Sequence, residues 1–474
     1  MLRGEVKMRN LLLTMTALML AGCEVGPDYE QPKLDMPKLS DKEEMTIFRN
    51  QQWWSVFNIK TLNQLEEQAL KHNADLKIAI ANIDAAKAAA GIAQGDLLPQ
   101  IAVSGEGTRA YISAKGKNYM PGLTRQRNSL DYLGVVGMSY ELDFFGKYRR
   151  ANEAARAQLL STRAAKDAVL LAITSQVAKN YFLIRALDAK LAIARRTLRT
   201  RQQTYNVYKS RFRSGYCTEL DYLRIESEMA SVKTTVLGLE EALAKAETSM
   251  SVLLGCSPRL FIERKMTREK AIERLKISNR VPKGIPSDIL SRRPDLLQAE
   301  GQLIAANAKI GEAKAAFFPS ISLTGAFGVE SKNLGQLFSP GSDTWTFSGG
   351  INLPIFTGGK LTSMSDAAKA KYRAALASYE KTVQVAFKEA LDALISNRKS
   401  KEIVKSRTRQ VNALKRSYDI AKKQKDAGLI GLIDLLDVER GLLACEMDLT
   451  TALQDQLNAV VDLCKALGGG WKRK

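Results

Sequence analysis

Leu98-Pro99-Gln100-Ile101-Ala102-Val103-Ser104-Gly105-Glu106-Gly107-Thr108 is the stretch that decides the fold. Pro99 closes a helical, alanine-rich run, since proline lacks the N–H that a helix interior needs. Past it, Ile101, Val103, Gly105 and Gly107 alternate with Ser104, Glu106 and Thr108, the period-two signature of a strand. The same transition returns at Phe318-Pro319-Ser320-Ile321, where Ile321, Leu323, Gly325 and Phe327 alternate with Ser320, Ser322 and Thr324. Returning strands follow at roughly Leu133 to Phe144 and Thr344 to Phe356. In the second of these, Trp345, Phe347, Ile351 and Leu353 oppose Thr346, Ser348 and Asn352. One apolar and one polar face, about ten residues per strand, is the pattern of a membrane β-barrel. A soluble sandwich alternates in the same way, so this pattern needs support from the rest of the chain.

Working outward, the whole chain reads as one unit written twice. Asn73-Ala74-Asp75-Leu76 answers Arg293-Pro294-Asp295-Leu296, and Gly91 answers Gly311. Leu142 to Lys147 answers Leu353 to Lys360. Tyr205, Gly215 and Leu220-Asp221 answer Tyr418, Gly428 and Ile433-Asp434, and Leu254-Gly255 answers Leu467-Gly468. Each copy is helix, strand, strand, very long helix, tight turn, helix, with the first helix of copy one expected from Leu62 to Asp96. Proline-free helices are expected over about 148 to 213 and 361 to 426, and 65 residues at 1.5 Å each span roughly 100 Å. That length suits a tube or coiled coil and no globular domain. Ala151, Ala154, Ala155 and Ala157, with Ala367, Ala368 and Ala370, allow close helix approach. The fold class is mainly α with a small β part, a short barrel on a long α-helical barrel.

Four strands per chain cannot close a barrel, and an open edge in lipid leaves backbone groups unpaired at several kcal/mol each. Closure therefore takes several chains. Three would give twelve strands; strand number alone also admits two or four.

The N-terminus supplies the compartment. Arg9, the apolar run Leu11 to Leu20 and Ala21-Gly22 form a secretory signal peptide. Leu20-Ala21-Gly22-Cys23 matches a lipobox, with cleavage before Cys23 and a lipid on its thiol; Glu24 permits passage to the outer membrane. The expected organisation is 1–22 signal peptide, 23–60 lipid-anchored segment, 61–270 first repeat and 271–285 linker. Residues 286–470 are the second repeat and 471–474 a basic tail. Within the repeats, strands are expected at about 99–111, 132–145, 319–330 and 343–356. No other run of about 18 apolar residues occurs, so any crossing uses strands.

Net charge is +21. The basic residues lie on amphipathic helices of an exported chain, which excludes nucleic acid as a partner. Of five cysteines, four remain for the fold. Cys217, Cys256, Cys445 and Cys464 show no CxxC or zinc spacing, so no metal or other cofactor is expected beyond the lipid on Cys23. Cys256 and Cys464 fall near matching helix ends, which leaves a disulfide open beside isolated thiols. His72 is the one histidine, without a nucleophile at recognisable spacing, and neither HExxH nor GxSxG occurs. Gly358-Gly359-Lys360 lacks the Ser or Thr of a P-loop. The chain is not expected to be an enzyme.

With these residues in place, the mature chain resembles the TolC-like outer membrane efflux family, in particular NodT-type outer-membrane lipoproteins. Cys23-Glu24-Val25-Gly26-Pro27-Asp28-Tyr29, Trp53-Trp54, Leu290-Ser291-Arg292-Arg293-Pro294-Asp295-Leu296 and the two glycine turns carry the likeness. The resemblance implies a homotrimer with a twelve-stranded barrel in outer-membrane lipid and a periplasmic α-barrel tapering to a closed iris. It further implies docking of a periplasmic adaptor (membrane fusion) protein and, through it, an inner-membrane RND transporter. The chain would then be the passive, gated exit duct of a tripartite pump for small molecules. A duct for an ABC-type polypeptide secretion system is the runner-up, and a periplasmic coiled coil without a pore is a third reading.

The gate and adaptor tip are expected at Gly215, Glu219, Leu220, Asp221, Gly428, Gly431, Asp434 and Asp437. Gly431 and Leu432 stand where the family often carries an acidic residue followed by an aromatic one. A basic collar is expected above the turns, at Arg195, Arg199, Arg211, Arg213, Lys422 and Lys425, within longer runs that include Arg196 and Arg201. It reads either as a solvated helix face or as a surface that attracts an acidic partner.

Overall fold

A computed structural model describes residues 24–32, 52–111, 113, 128–259, 272, 275 and 292–469. Cys23, the signal peptide, the 276–285 part of the linker and the basic tail lie outside the described residues. In chain order the elements are α1 (Lys60–His72), α2 (Ala74–Gly95), β1 (Gln100–Tyr111), β2 (Asn128–Leu142), α3 (Lys147–Arg213) and α4 (Glu219–Leu253). The second series is α5 (Pro294–Ala315), β3 (Ser320–Ser331), β4 (Asp343–Asn352), α6 (Lys360–Asp426) and α7 (Leu432–Ala466). The long helices α3 and α6 each have 67 residues, and α4 and α7 each have 35.

One difference from expectation is that the first helix of copy one is two helices. Asn73 breaks it with extended backbone (φ −58°, ψ 134°). Its Oδ1 then caps the next helix, accepting from Asp75 N at 2.8 Å and Leu76 N at 3.2 Å. An asparagine side chain that satisfies two otherwise orphaned N–H groups competes well with continued helix. At the other end of the hairpins, β4 stops at Asn352, short of Phe356. Pro354 follows and has no N–H to donate to a ladder.

Contacts divide the chain into two units, one from Met1–Lys33, Ile83–Thr162 and Ala299–Tyr379, the other from Leu34–Asn82, Arg163–Gln298 and Glu380–Lys474. The first holds the sheet, in the order β1-β2-β3-β4. All three pairings are antiparallel, with Val103 opposite Val136, Val136 opposite Phe327, and Phe327 opposite Trp345. Neither β1 nor β4 has a second partner within the chain.

The second unit holds the main core. Trp53, Trp54 and Phe57 sit against Leu62, Val177, Tyr181, Phe182, Met250 and Val460. Phe57 meets Phe182 edge-on at 4.9 Å, and Trp53 Nε1 donates to Thr174 Oγ1 at 3.2 Å. Burial of such side chains contributes about 1.5–3 kcal/mol each. Cys256 and Cys464 are free thiols, so the disulfide left open above does not form. Burial pushes the Cys464 thiol up to about 12, which keeps it protonated and unreactive.

Candidate functional site

The register settles what each strand face presents. Because pairing keeps odd residues with even partners in β1–β2 and even with odd in β2–β3, one face collects Ile101, Val103, Val136, Met138, Phe327, Trp345, Phe347 and Ile351. All are exposed in the lone chain, Val103 at 81% and Ile351 at 74%. A continuous apolar sheet face left in water has a second phase to meet. The opposite face collects Ser104, Glu106, Thr108, Ser139, Thr324, Thr346 and Ser348. There Thr108 Oγ1 donates to Glu106 at 3.0 Å, and the Thr324 and Ser348 hydroxyls lie 2.6 Å apart. Apolar outside and polar inside is the arrangement of a barrel in lipid around a wet lumen.

Where β2 enters α3, charged residues lock the junction. Lys147 pairs with Glu141 at 3.1 Å, Tyr148 Oη donates to the same carboxylate at 2.9 Å, and Asp143 accepts from Arg149 N at 2.8 Å. Phe145 stacks on Phe318 at 4.7 Å. Residues 24–32 form a strap along this unit that sequence reading did not anticipate. Asp28 pairs with the buried Arg150 at 2.7 Å, Val25 N donates to Phe145 O, and Asn307 Nδ2 donates to Pro27 O. Gly26 lies against Gly311 so closely that a Cβ would come within 2.5 Å of the Gly311 Cα. Tyr29 Oη donates to Glu300 at 3.3 Å. Burial first, and the Glu300 charge second, push that phenol above its ordinary value. The residue after Cys23 is thereby held beside Arg149 at the base of the sheet.

In the second unit, the two helical turns are built alike. Gly215 (φ 74°) and Gly428 (φ 75°) adopt left-handed backbone, which glycine alone takes without cost. The following N–H reaches back over the last turn, from Tyr216 to Arg211 O at 2.7 Å and from Leu429 to Gln424 O at 2.8 Å. The restart differs. Thr218 Oγ1 accepts from Asp221 N at 3.2 Å, whereas Gly431 has no side chain and only the return bond, Gly431 N to Asp434 Oδ2 at 3.0 Å, is made. Glu219, Leu220, Asp434 and Asp437 are exposed around these turns.

The expected collar is only partly a free basic surface. Arg195 pairs with Glu240 at 2.6 Å, and Arg196 with Glu446, which also takes Lys415 at 3.3 Å. Arg201 is not on the surface at all. It is 2% exposed, between Glu439 at 3.3 Å and Glu228 at 4.0 Å, and donates to Leu436 O. These acids come from α4 and α7, far away in sequence. Arg199, Arg211, Arg213, Lys422 and Lys425 make no ion pair within 4 Å among the described residues.

A small antiparallel sheet with one lipid-suited face, leading into paired long helices, defines a β-barrel channel protein with a helical extension. The chain belongs to the outer membrane efflux protein family, whose description matches residues 65–256 and 285–469. It is 34% identical over 471 residues to the probable efflux pump outer membrane protein TtgC of Pseudomonas putida, covering 97% of this chain and 95% of that one. It is 31% identical over 468 residues to the cation efflux system protein CusC of Escherichia coli K12, covering 97% and 99%. Among solved structures, the Campylobacter jejuni CmeC outer membrane channel superposes with a TM-score of 0.90 at 26% identity, covering 95% and 96%. The protein is thus an outer-membrane efflux channel, with strands for the membrane and helices for the periplasm.

Proposed function

We propose that three copies of this chain close one twelve-stranded barrel and act as the passive exit duct of a tripartite efflux pump. The observation that carries this is the pair of open sheet edges, β1 and β4, on a sheet with an apolar outer face. In lipid such edges have to be paired, and copies of the same chain are the available partners. Cys23 carries the lipid, and the strap of residues 24–32 holds that anchor at the base of the barrel. Small molecules enter from an inner-membrane RND transporter through a periplasmic adaptor docked at the turns around Gly215 and Gly428. Opening is a population shift there, favoured because the adaptor binds the dilated state better. The unpaired part of the collar, Arg199, Arg211, Arg213, Lys422 and Lys425, steers an acidic adaptor surface to this end.

Native mass spectrometry of protein extracted in detergent from outer-membrane fractions tests the reading. The expected species is a trimer whose protomers begin at Cys23 and carry acyl mass. A soluble, unlipidated monomer would overturn it.

A further inference from the structure

Within the chain, α5 of the second repeat lies on α3 of the first. A Cβ on Gly301 would fall 2.9 Å from Ser161 Cβ, and one on Gly311 would fall 2.9 Å from Arg150 Cγ. Along this contact Arg150, Ala154, Ala157 and Ser161 of α3 are buried, as are Leu303, Ala308 and Gly311 of α5. The repeat places a twin of each partner elsewhere. Gly91 on α2 corresponds to Gly311, as the runs Asp75-Leu76 and Asp295-Leu296 align. Ser363 on α6 corresponds to Arg150, as Gly146-Lys147 and Gly359-Lys360 align. The twins are bare. From Ile83 to Gly95 no residue of α2 is buried, Ile92 is 69% exposed, and nothing lies within 4 Å of a Cβ on Gly91. Ser363, Ala367 and Ala370 of α6, the counterparts of Arg150, Ala154 and Ala157, are exposed.

We infer that α2 of one protomer packs on α6 of the next, repeating between chains the contact that α5 makes with α3 inside one chain, with Gly91 against Ser363 of the partner subunit. The occupant is a second copy because the surface that fits α2 is present in this chain and left uncovered. A repeat that uses one face internally and leaves its twin open at both ends is a heterologous, ring-closing interface. The helical contact continues the strand pairing of β4 with β1 across the same boundary. Neighbouring helices approach closely there because glycine, serine and alanine stand where larger side chains would hold them apart. This inference rests on the oligomeric reading above and specifies which surfaces meet.

The test is the double variant Gly91→Cys with Ser363→Cys, oxidised in outer-membrane fractions and run without reductant. Two thiols placed like their in-chain twins are within disulfide reach, which needs Cβ atoms about 3.5–4.5 Å apart. The expected result is a covalent ladder up to trimer, absent from either single variant and from the parent. Native trimer with no covalent ladder overturns the pairing and leaves the trimer standing; a parent protein that is monomeric overturns both. As a second measurement, Gly91→Trp is expected to shift at least half of the native trimer to protomers in detergent. A Gly91→Trp protein that assembles and dissociates on heating like the parent overturns the pairing.

Discussion

The joint at Asn73 and the joint at Arg293 occupy the same place in the two repeats and are held by different chemistry. At the first, a neutral amide caps α2 through its oxygen and donates through Nδ2 to Leu253 O at 2.9 Å, tying the start of one helix to the end of α4. At the second, a buried guanidinium does the tying. Arg293 donates to Ala466 O at the end of α7 and to Ala386 O, and pairs with Asp295 at 2.7 Å and Glu389 at 2.6 Å. Both satisfy the carbonyls that a helix end leaves orphaned. The cation adds the risk of a buried charge, since removing one partner of such a network strands the rest. The motif at 292–296, which carries part of the family likeness, is therefore structural. It fastens three helices and has no role at the pore.

The largest effect separates the glycines that face these joints. Gly255 (φ 65°) and Gly468 (φ 84°) both sit in left-handed backbone, where a side chain costs about 1–2 kcal/mol. A Cβ on Gly255 would also strike His72 O at 2.2 Å, while one on Gly468 would meet nothing closer than 3.3 Å. Gly255→Ala is expected to lose about 3–4 kcal/mol once overpacking is added, and Gly468→Ala about 1–2 kcal/mol. Thermal unfolding midpoints of the two variants check this, and equal losses would break the distinction.

Next in size is Arg293→Ala, with an expected loss of about 3 kcal/mol, at the low end for a broken buried pair because Glu389 is partly solvated. Asn73→Ala is expected to lose about 1–2 kcal/mol, the scale of a lost cap. Arg293→Lys should rescue little, since one ammonium cannot reproduce a fork that reaches two carboxylates and two carbonyls. If Asn73→Ala proved the worse of the two, the contrast between a capped and a charged joint would be reversed.

Only the first repeat carries Glu66, whose sequence counterpart is Pro286. The Glu66 carboxyl is fully buried and neither oxygen has a hydrogen-bond partner, so burial pushes its pKa well above the ordinary carboxylate range. The folded state therefore holds a proton that the unfolded state releases near pH 4.5, and stability falls as pH rises above that value. Between pH 4.5 and 5.5 the parent is expected to lose about 1 kcal/mol that Glu66→Gln does not lose. Parallel pH profiles for the two proteins would show that the carboxyl is charged in place.

How much of this was legible in the sequence differs between local and distant features. The faces of the strands were readable from Ile101 to Thr108 because side-chain period is a local property, and the pairing registers keep those same residues together. Turns at Gly215 and Gly428 were readable because left-handed backbone needs glycine. The strap was not, since nine residues without periodicity carry no sign that Asp28 will meet Arg150. The collar was over-read for a related reason. Within the α3 run from Arg195 to Arg213 no acid appears, yet Glu228, Glu240, Glu439 and Glu446 arrive from other helices. The break at Asn73 was hidden because asparagine is tolerated within helices and its capping bonds depend on where Leu253 lies.

The smallest expected effect is the one closest to function. Thr218 and Gly431 begin α4 and α7 at equivalent places, and only Thr218 supplies a side-chain cap. Gly431 has extended backbone (φ −75°, ψ 166°) that threonine adopts freely, and a Cβ there would meet Asp434 Oδ2 at an ordinary 3.4 Å. Gly431→Thr is expected to gain a few tenths of a kcal/mol, the difference between glycine and a hydroxyl cap. Thr218→Gly should lose the same amount, so the double variant exchanges the two turns at no net cost in stability. If the second turn is the one that moves on opening, its missing cap lowers the cost of fraying the start of α7. Gly431→Thr should then reduce efflux in a complemented strain while the reciprocal change at Thr218 leaves it unaltered. Equal efflux from both variants would mean that the uncapped turn is tolerated without being used, and the asymmetry between the repeats would be confined to their joints.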